Sequence, residues 1–193
     1  LNIDNMLFAD ASAIFKSGRN LKFIVDCLQK QLNVIQNWCD EWGFKLSSSK
    51  TTAVVFTFKK VSQDITKLLK LGNNSIKVEK TVKFLGVIFD NRLTWKHHIE
   101  YVENKCKRRL QLMRVISGNK WGADIKSLLT IYKTLIRPII DYGAIAYDSA
   151  TSNLQNTVEK IQNRALCICT GCMKSTPTAV LQNECGIMPL KFR

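Results

Sequence analysis

A single carboxylate lies in the middle of an apolar stretch near the start of the chain. Asp10 follows Met6 to Ala9 and precedes Ala11 to Phe15. This pattern predicts two buried strands joined by a tight turn that presents Asp10 at its tip. Because an unpaired buried charge is costly, such an acid caps a turn, meets a cation or binds a metal ion. The residues alone leave these alternatives open.

Lys50 is the second candidate for chemistry. It ends the polar turn Ser47 to Lys50, which we expect to join one strand at Phe44 to Leu46 to another at Thr52 to Phe58. A lysine at a turn can neutralise an anion such as a phosphate. From the residues alone, a solvated surface lysine is the simpler interpretation.

A glycine interrupts an apolar stretch later in the chain. The segments Ser75 to Val78 and Thr81 to Phe89 predict a hairpin that turns at Glu79 and Lys80, with Gly86 inside the second strand. A glycine there indicates a bulge or a close backbone approach, or else only tight packing.

Half of the net positive charge lies in one stretch, between Lys96 and Arg137. The 193 residues contain 29 Lys and Arg against 15 Asp and Glu, a net charge of +14. Ten of the basic residues and three acids lie between Lys96 and Arg137. Such an excess favours a polyanionic partner, first of all nucleic acid, although a basic solvated surface is the alternative. The candidate contacts are Lys105, Lys107, Arg108, Arg109 and Arg114.

The elements that position these residues indicate an α+β fold of one domain or two small ones. Apolar residues at helical spacing predict a long helix from Leu21, capped by Asn20 and ended by Gly43. A short helix is expected at Ser62 to Leu71. Two further helices follow Thr94, the second broken by Pro138, and a last helix begins at Ser152 or Asn153.

The chain contains seven cysteines, which is an odd number. The sequence shows no secretory signal pattern and no apolar run of 18 residues. We therefore expect reduced thiols and an intracellular protein, nuclear or cytoplasmic, with no membrane partner. Cys167, Cys169, Cys172 and Cys185 suggest zinc only weakly, because a helix spreads the first three thiols over different faces. The adjacent His97 and His98 indicate a surface pair.

Runs in four regions resemble, in the same order, the C-terminal part of the reverse transcriptase of a non-LTR retrotransposon of the Jockey-like kind. Their order across nearly the whole chain makes the resemblance specific. The first is Phe8-Ala9-Asp10-Ala11, which is similar to the aromatic-Ala-Asp-Asp box, and the second runs from Trp38 through Trp42-Gly43-Phe44-Lys45-Leu46 to Ser49-Lys50-Thr51. The third is Val82 to Val87, which contains a Phe-Leu-Gly sequence. The fourth region comprises Leu135 to Gly143, Ile161 to Leu166 and Thr176 to Ala179.

The resemblance implies a partial polymerase palm at 1–92, a helical thumb at 93–150 and a helical connector at 151–193. It also implies RNA-directed DNA synthesis with Mg²⁺, an RNA template and a DNA primer. In this reading Asp10 is a catalytic metal ligand and Lys50 lies near the nucleotide phosphates. Phe84, Leu85 and Gly86 grip the primer, and the basic residues from Lys105 to Arg114 hold the duplex.

The chain departs from the family in two ways. Ala11 stands where the box has its second Asp, and we expect the upstream fingers and the palm strand with the other metal-binding Asp to be missing. Two-metal catalysis needs carboxylates from more than one strand. The hypothesis is therefore a polymerase fragment without activity alone. The alternatives are a non-catalytic basic nucleic-acid-binding remnant and a product that does not fold.

Overall fold

A computed structural model of the chain describes residues 3–9, 11–59, 69–118 and 122–192. The chain forms two compact units, Leu1–Leu93 and Thr94–Arg193. The described strands all belong to the first unit, where they form four two-stranded sheets, and the same unit contains one long helix. The described part of the second unit is helical. The mixture of helix and strand agrees with the predicted α+β class.

The first hairpin pairs β1 (Asp4–Phe8) with β2 (Ala11–Phe15) in antiparallel register, with Phe8 opposite Ala11. The predicted hairpin is therefore confirmed. Its strands were predicted to be buried, and this is wrong, since Leu7 is 81% exposed and Phe8 65%. A two-stranded sheet buries a face only where another layer covers it, and the core of this unit lies elsewhere.

Helix α1 (Leu21–Glu41) begins and ends where the sequence predicts. The side chain of Asn20 accepts a hydrogen bond from the Phe23 backbone N–H at 3.3 Å, which caps the first turn. Gly43 follows in the left-handed conformation at φ 73°, which allows the chain to leave the helix.

The core of the first unit lies between α1 and the strands β4 (Lys70–Leu71), β5 (Asn74–Ser75) and β6 (Lys77–Val78). Its buried members are Val25, Leu69, Leu71 and Ile76. Gln29 of α1 hydrogen-bonds both the N–H and the carbonyl of Lys70, at 2.7 and 3.0 Å. The helix predicted at Ser62 to Leu71 is thus wrong at its end, where β4 lies, and residues 62–68 fall outside the described part.

The segment after α1 is not the predicted hairpin. Phe44 to Leu46 form no strand, because the Phe44 N–H bonds the Cys39 carbonyl at 2.8 Å and its ring stacks on Trp38 at 5.6 Å. The aromatic contact therefore holds this segment on the end of α1. Of the strand predicted at Thr52 to Phe58, only β3 (Thr52–Ala53) forms, and it pairs in parallel with β6.

The last sheet of this unit pairs β7 (Thr81–Phe84) with β8 (Val87–Asp90) in antiparallel register. The hairpin predicted to turn at Glu79 and Lys80 is therefore wrong. The chain turns at Leu85 and Gly86, inside the stretch that was predicted to be one strand.

The second unit begins with α2 (Lys96–Ile116), which buries Ile99, Val102, Cys106, Leu110 and Met113. Its main partner is α6 (Ser152–Thr170), which begins as predicted after Thr151. The remaining elements are α3 (Ile125–Ile131), a π-helical segment (Tyr132–Ile136), α4 (Arg137–Asp141), α5 (Ala144–Tyr147), α7 (Thr178–Glu184) and a 3₁₀ turn (Leu190–Phe192).

Pro138 does not break the helix, contrary to the prediction. Proline has no N–H to donate and its ring clashes with the carbonyl four residues back in an α-helix. The π-helical segment just before it widens the turn, so the helical path continues into α4. The wider turn also keeps Leu128, Tyr132, Ile136 and Ile140 on the buried side, while Leu135 is 48% exposed.

A buried amide joins the helices of the second unit. Gln162 of α6 is 1% exposed and its Oε1 accepts from the Tyr132 hydroxyl at 2.6 Å and from Arg137 Nη1 at 3.2 Å. Its Nε2 donates to the Met188 carbonyl at 3.2 Å, and Arg137 Nε binds Asp141 at 2.7 Å. Burial raises the pKa of Tyr132 to about 12, so its hydroxyl stays a donor.

We expect Gln162→Leu to lower the free energy of unfolding by about 1–3 kcal/mol. The substitution keeps the side-chain volume similar but leaves the buried Tyr132 hydroxyl and Met188 carbonyl without this partner. Urea unfolding followed by circular dichroism measures the change. Asn156→Leu, at an exposed position of the same helix, is the control and should stay within about 0.5 kcal/mol. Equal effects of the two changes would contradict the assigned network.

The helical unit should lose stability in mild acid because of His98. The ring is buried 5.2 Å from that of Tyr147, and burial lowers the pKa of His98 below its ordinary 6.5. The unfolded chain then binds a proton that the folded unit excludes, so the free energy of unfolding falls as the pH drops below about 6.5. Thermal melts recorded as a function of pH measure the effect. His98→Gln should reduce the loss of stability below about pH 6.5, whereas His97→Gln, a change at the exposed neighbouring residue, should not.

Candidate nucleic-acid interface

The hairpin of β1 and β2 carries the acidic box. Phe8 pairs with Ala11, so the two strands are joined by a short connection that includes Ala9. Ala9 adopts a left-handed φ of 51°, as tight two-residue turns require. Asp10, the predicted catalytic and metal-binding residue, lies outside the described residues.

The carboxylates that a pair of Mg²⁺ ions would need are not assembled in the described part of the chain. Those residues contain no group of three or more His, Cys, Asp or Glu side chains placed to hold a metal ion. At the second box position Ala11 offers only a methyl group, which has no ligand atom. The described residues therefore do not fit a two-ion centre.

Lys50 lies on a well-defined turn. The Ser47 carbonyl accepts hydrogen bonds from the backbone N–H of Lys50 at 3.2 Å and of Thr51 at 3.0 Å, and from the Thr51 hydroxyl at 2.8 Å. The turn is tied to β5 by the Asn74 amide, which lies 3.3 Å from the Ser48 hydroxyl. The Lys50 side chain is exposed. The backbone is thus fixed while the ammonium group faces outward.

Phe84, Leu85 and Gly86 form the tip of the β7–β8 hairpin. Leu85 and Gly86 both have positive φ, 46° and 83°, which is the signature of a type I′ turn and matches the twist of the two strands. Leucine rarely adopts this conformation, since its Cβ approaches the next carbonyl oxygen. Leu85 is nevertheless 40% exposed at the tip, where a hydrophobic core does not account for its identity.

The five basic candidates on α2 do not share one face. At 100° per residue, Lys107 and Arg114 lie on one flank of the buried stripe, Lys105 and Arg109 lie on the other, and Arg108 points away from it. Lys105 also places its ammonium 4.8 Å from the centre of the Tyr101 ring. The structure therefore separates the predicted duplex contact into two basic flanks and one outward arginine.

One flank faces a groove of about 630 Å³ between α2 and α6, which we call the α2–α6 groove. It is lined by five basic residues together with polar and apolar ones and no acid: Lys107, Leu110, Gln111, Arg114, Lys160, Asn163, Arg164, Cys167, Ile168, Cys172 and Lys174. The sequence analysis did not single out Lys160, Arg164 or Lys174. The signal was present, because Lys160 and Arg164 are four residues apart on α6 and flank the buried positions Ile161 and Ala165.

Comparison with known proteins gives relatives over most of the chain. It is 27% identical over 165 residues, 86% of its length, to a Drosophila melanogaster protein named "Probable RNA-directed DNA polymerase from transposon BS". It is 22% identical over 82% of its length to the "RNA-directed DNA polymerase from mobile element jockey" of the same species. A "Retrovirus-related Pol polyprotein from type-1 retrotransposable element R1 4" of Nasonia vitripennis is 25% identical over 95% of it.

The chain is related to the reverse transcriptases of non-LTR retrotransposons. It spans 18%, 17% and 50% of the lengths of these three relatives. No protein-family model matches it, and neither does any solved structure. The resemblance stated from the sequence is thus confirmed, whereas the roles of single residues stay predictions.

Among the described helices none is long and apolar enough to cross a membrane. Burial raises the pKa of the Cys169 thiol to about 12 and also raises that of Cys167. The described residues hold no group of three or more His, Cys, Asp or Glu side chains placed for a metal ion, these cysteines included.

We expect Gly86→Ala to lower the free energy of unfolding of the first unit by about 1–2 kcal/mol, because a Cβ is strained at φ 83°. Urea unfolding measures the loss. The matched control is Gly18→Ala, whose new Cβ would meet only the Ile24 side chain at an ordinary 3.4 Å and should change stability by less than about 0.5 kcal/mol. A neutral Gly86→Ala would contradict the assigned turn.

Proposed function

We propose that this chain is the primer- and duplex-holding part of an RNA-directed DNA polymerase of a non-LTR retrotransposon. The observation that carries the proposal is the similarity to such polymerases over 82–95% of the chain, across both compact units. The partners that follow are an RNA template and a DNA primer.

The hairpin tip supports a role in holding the primer. A leucine at an exposed turn position with positive φ supports a role beyond folding, because glycine or asparagine would adopt the same turn with less strain. Leu85 meets this description, and the adjacent Gly86 lets a nucleic-acid backbone come close. In this proposal Phe84, Leu85 and Gly86 position the end of the primer.

In this proposal the helical unit supplies the positive charges that hold the nucleic-acid duplex. Lys105, Arg108, Arg109 and the groove-facing Lys107 and Arg114 attract phosphates without reading bases, as a polymerase that copies any template requires. Lys50 adds an exposed cation on a fixed turn, where it would neutralise the phosphates of an incoming nucleotide.

Catalysis by the chain alone does not follow from these residues. In-line phosphoryl transfer needs two metal ions about 3.5–4 Å apart, held by carboxylates of different strands. Asp10 would hold one of them, while Ala11 holds none. We propose that the missing carboxylate comes from an upstream fingers and palm segment, as in a longer polymerase. A non-catalytic nucleic-acid-binding module is the second candidate, and Ala11 favours it.

The test uses the full chain with a fluorescent RNA template annealed to a DNA primer. We expect binding with and without Mg²⁺, steep weakening with salt, no change in affinity on Asp10→Ala, and no primer extension with dNTPs and Mg²⁺. Failure to bind at low salt would overturn the proposed function, and efficient extension would overturn the proposed dependence on a further segment.

A charge-matched pair of variants tests the assigned surface. Lys105→Gln, Arg108→Gln and Arg109→Gln together should lower the salt dependence, d log K/d log[salt], by about 2–3 in magnitude, since each phosphate contact contributes about 0.7–0.9. Lys22→Gln, Lys30→Gln and Lys59→Gln remove the same charge from exposed positions of the first unit and should have little effect. Equal losses would contradict a localised interface.

A further inference from the structure

We infer that the α2–α6 groove is a second nucleic-acid site, which binds a sugar-phosphate strand through the connector residues Lys160, Arg164 and Lys174 as well as through α2. The inference rests on the proposed nucleic-acid function and extends it. It gives the range 151–193, predicted only as a connector, a direct part in binding.

Charge is the first argument. Lys107 forms an ion pair with Glu103 at 3.0 Å, so its charge is partly neutralised. Arg114, Lys160, Arg164 and Lys174 form no ion pair with any carboxylate of the described residues. Four such cations around one groove repel each other, and a bound polyanion relieves that repulsion.

The arrangement of the cations favours a chain of phosphates over a single one. Lys107 and Arg114 are seven residues apart, which is about 10 Å along α2, and Lys160 and Arg164 are about 6 Å apart along α6. Lys160 and Arg164 can share one phosphate, because side chains four residues apart on a helix are neighbours. The α2 rim is longer, and since each strand of a duplex carries one charge about every 3.4 Å along the axis, this rim matches roughly three phosphates.

The floor of the groove is suited to the rest of a nucleotide. Leu110 and Ile168 contribute apolar surface between the charged rims, against which a sugar or base can pack. Arginine on both rims allows bidentate contacts to phosphate, which lysine alone does not provide.

The wall that α6 forms is fixed in place. Gln162 is hydrogen-bonded on the buried side of the helix, and Asn163 donates to the Thr178 hydroxyl of α7 at 2.6 Å. Lys160 and Arg164 therefore project from a helix whose rotation is set by neighbouring contacts. A preorganised rim loses less conformational entropy when a ligand binds.

The first experiment measures affinity of the full chain for fluorescent single-stranded DNA, single-stranded RNA and an RNA–DNA duplex as a function of salt. Lys160→Gln, Arg164→Gln and Lys174→Gln together should weaken binding at least tenfold near 0.1 M salt and reduce the salt dependence by about 2–3 in magnitude. The strand type that loses most identifies the natural occupant. Lys160→Arg, Arg164→Lys and Lys174→Arg keep the charges and should restore binding, and circular dichroism melts verify folding.

The second experiment is a footprint that does not depend on affinity changes. All seven cysteines lie in the described residues, and Cys172, in the groove, is the exposed one. Bound oligonucleotide should slow alkylation of Cys172 by N-ethylmaleimide at least fivefold, and the triple glutamine variant should lose this protection. Mass spectrometry of the modified peptide measures the rate.

The outcomes separate this inference from the proposed function. If the groove variant binds like the unmodified chain, or if bound oligonucleotide leaves Cys172 alkylation unchanged, the groove is not the site. The proposed function then still stands provided that the Lys105, Arg108 and Arg109 variant weakens binding. If the unmodified chain binds no nucleic acid at low salt, both the groove inference and the proposed function are wrong.

Discussion

The buried amide of Gln162 is the interaction on which the helical unit most depends. Apolar packing holds α6 against α2 but is not directional, so it leaves the rotation of a helix weakly defined. Three hydrogen bonds of known geometry, to Tyr132, Arg137 and Met188, remove that freedom. Because these partners lie in the π-helical segment, in α4 and near the C-terminus, one side chain joins three parts of the unit. The runs from Leu135 to Gly143 and from Ile161 to Leu166, which carry the family resemblance, meet at this amide.

The first unit is organised by its turns more than by its core. Its buried cluster is small, and many large apolar side chains of β1, β2 and α1 stay exposed. Two-residue turns at positions 72–73 and 85–86 instead determine which residues stand at the tips of two hairpins. The Phe-Leu-Gly run lies at one of these tips. Short turns are rigid for their length, so they present these residues at fixed distances from the strands.

The proposed function separates holding nucleic acid from reacting with it. Backbone binding would use cations and a close backbone approach, which α2, α6 and the β7–β8 turn offer. Two-metal catalysis needs several carboxylates that converge on metal ions, and Ala11 has a methyl group where the resembling box has its second Asp. This difference is the reason for the proposal that the chain acts as one segment of a larger polymerase.

The sequence by itself determined the long helices, the first hairpin, the net charge and the similarity to non-LTR reverse transcriptases. Helix periodicity and caps are local signals, so α1, α2 and α6 were predictable from Asn20, Gly43 and the apolar stripes. Tertiary structure alone decided where β7 turns into β8, because Gly86 in an apolar stretch is compatible with a bulge inside one strand as well as with a turn, and only the pairing selects Leu85 and Gly86 as the turn. It also decided the path through Pro138 and the placement of Arg114 and Arg164 around one groove. These features depend on contacts between residues far apart in the chain, which no local pattern encodes.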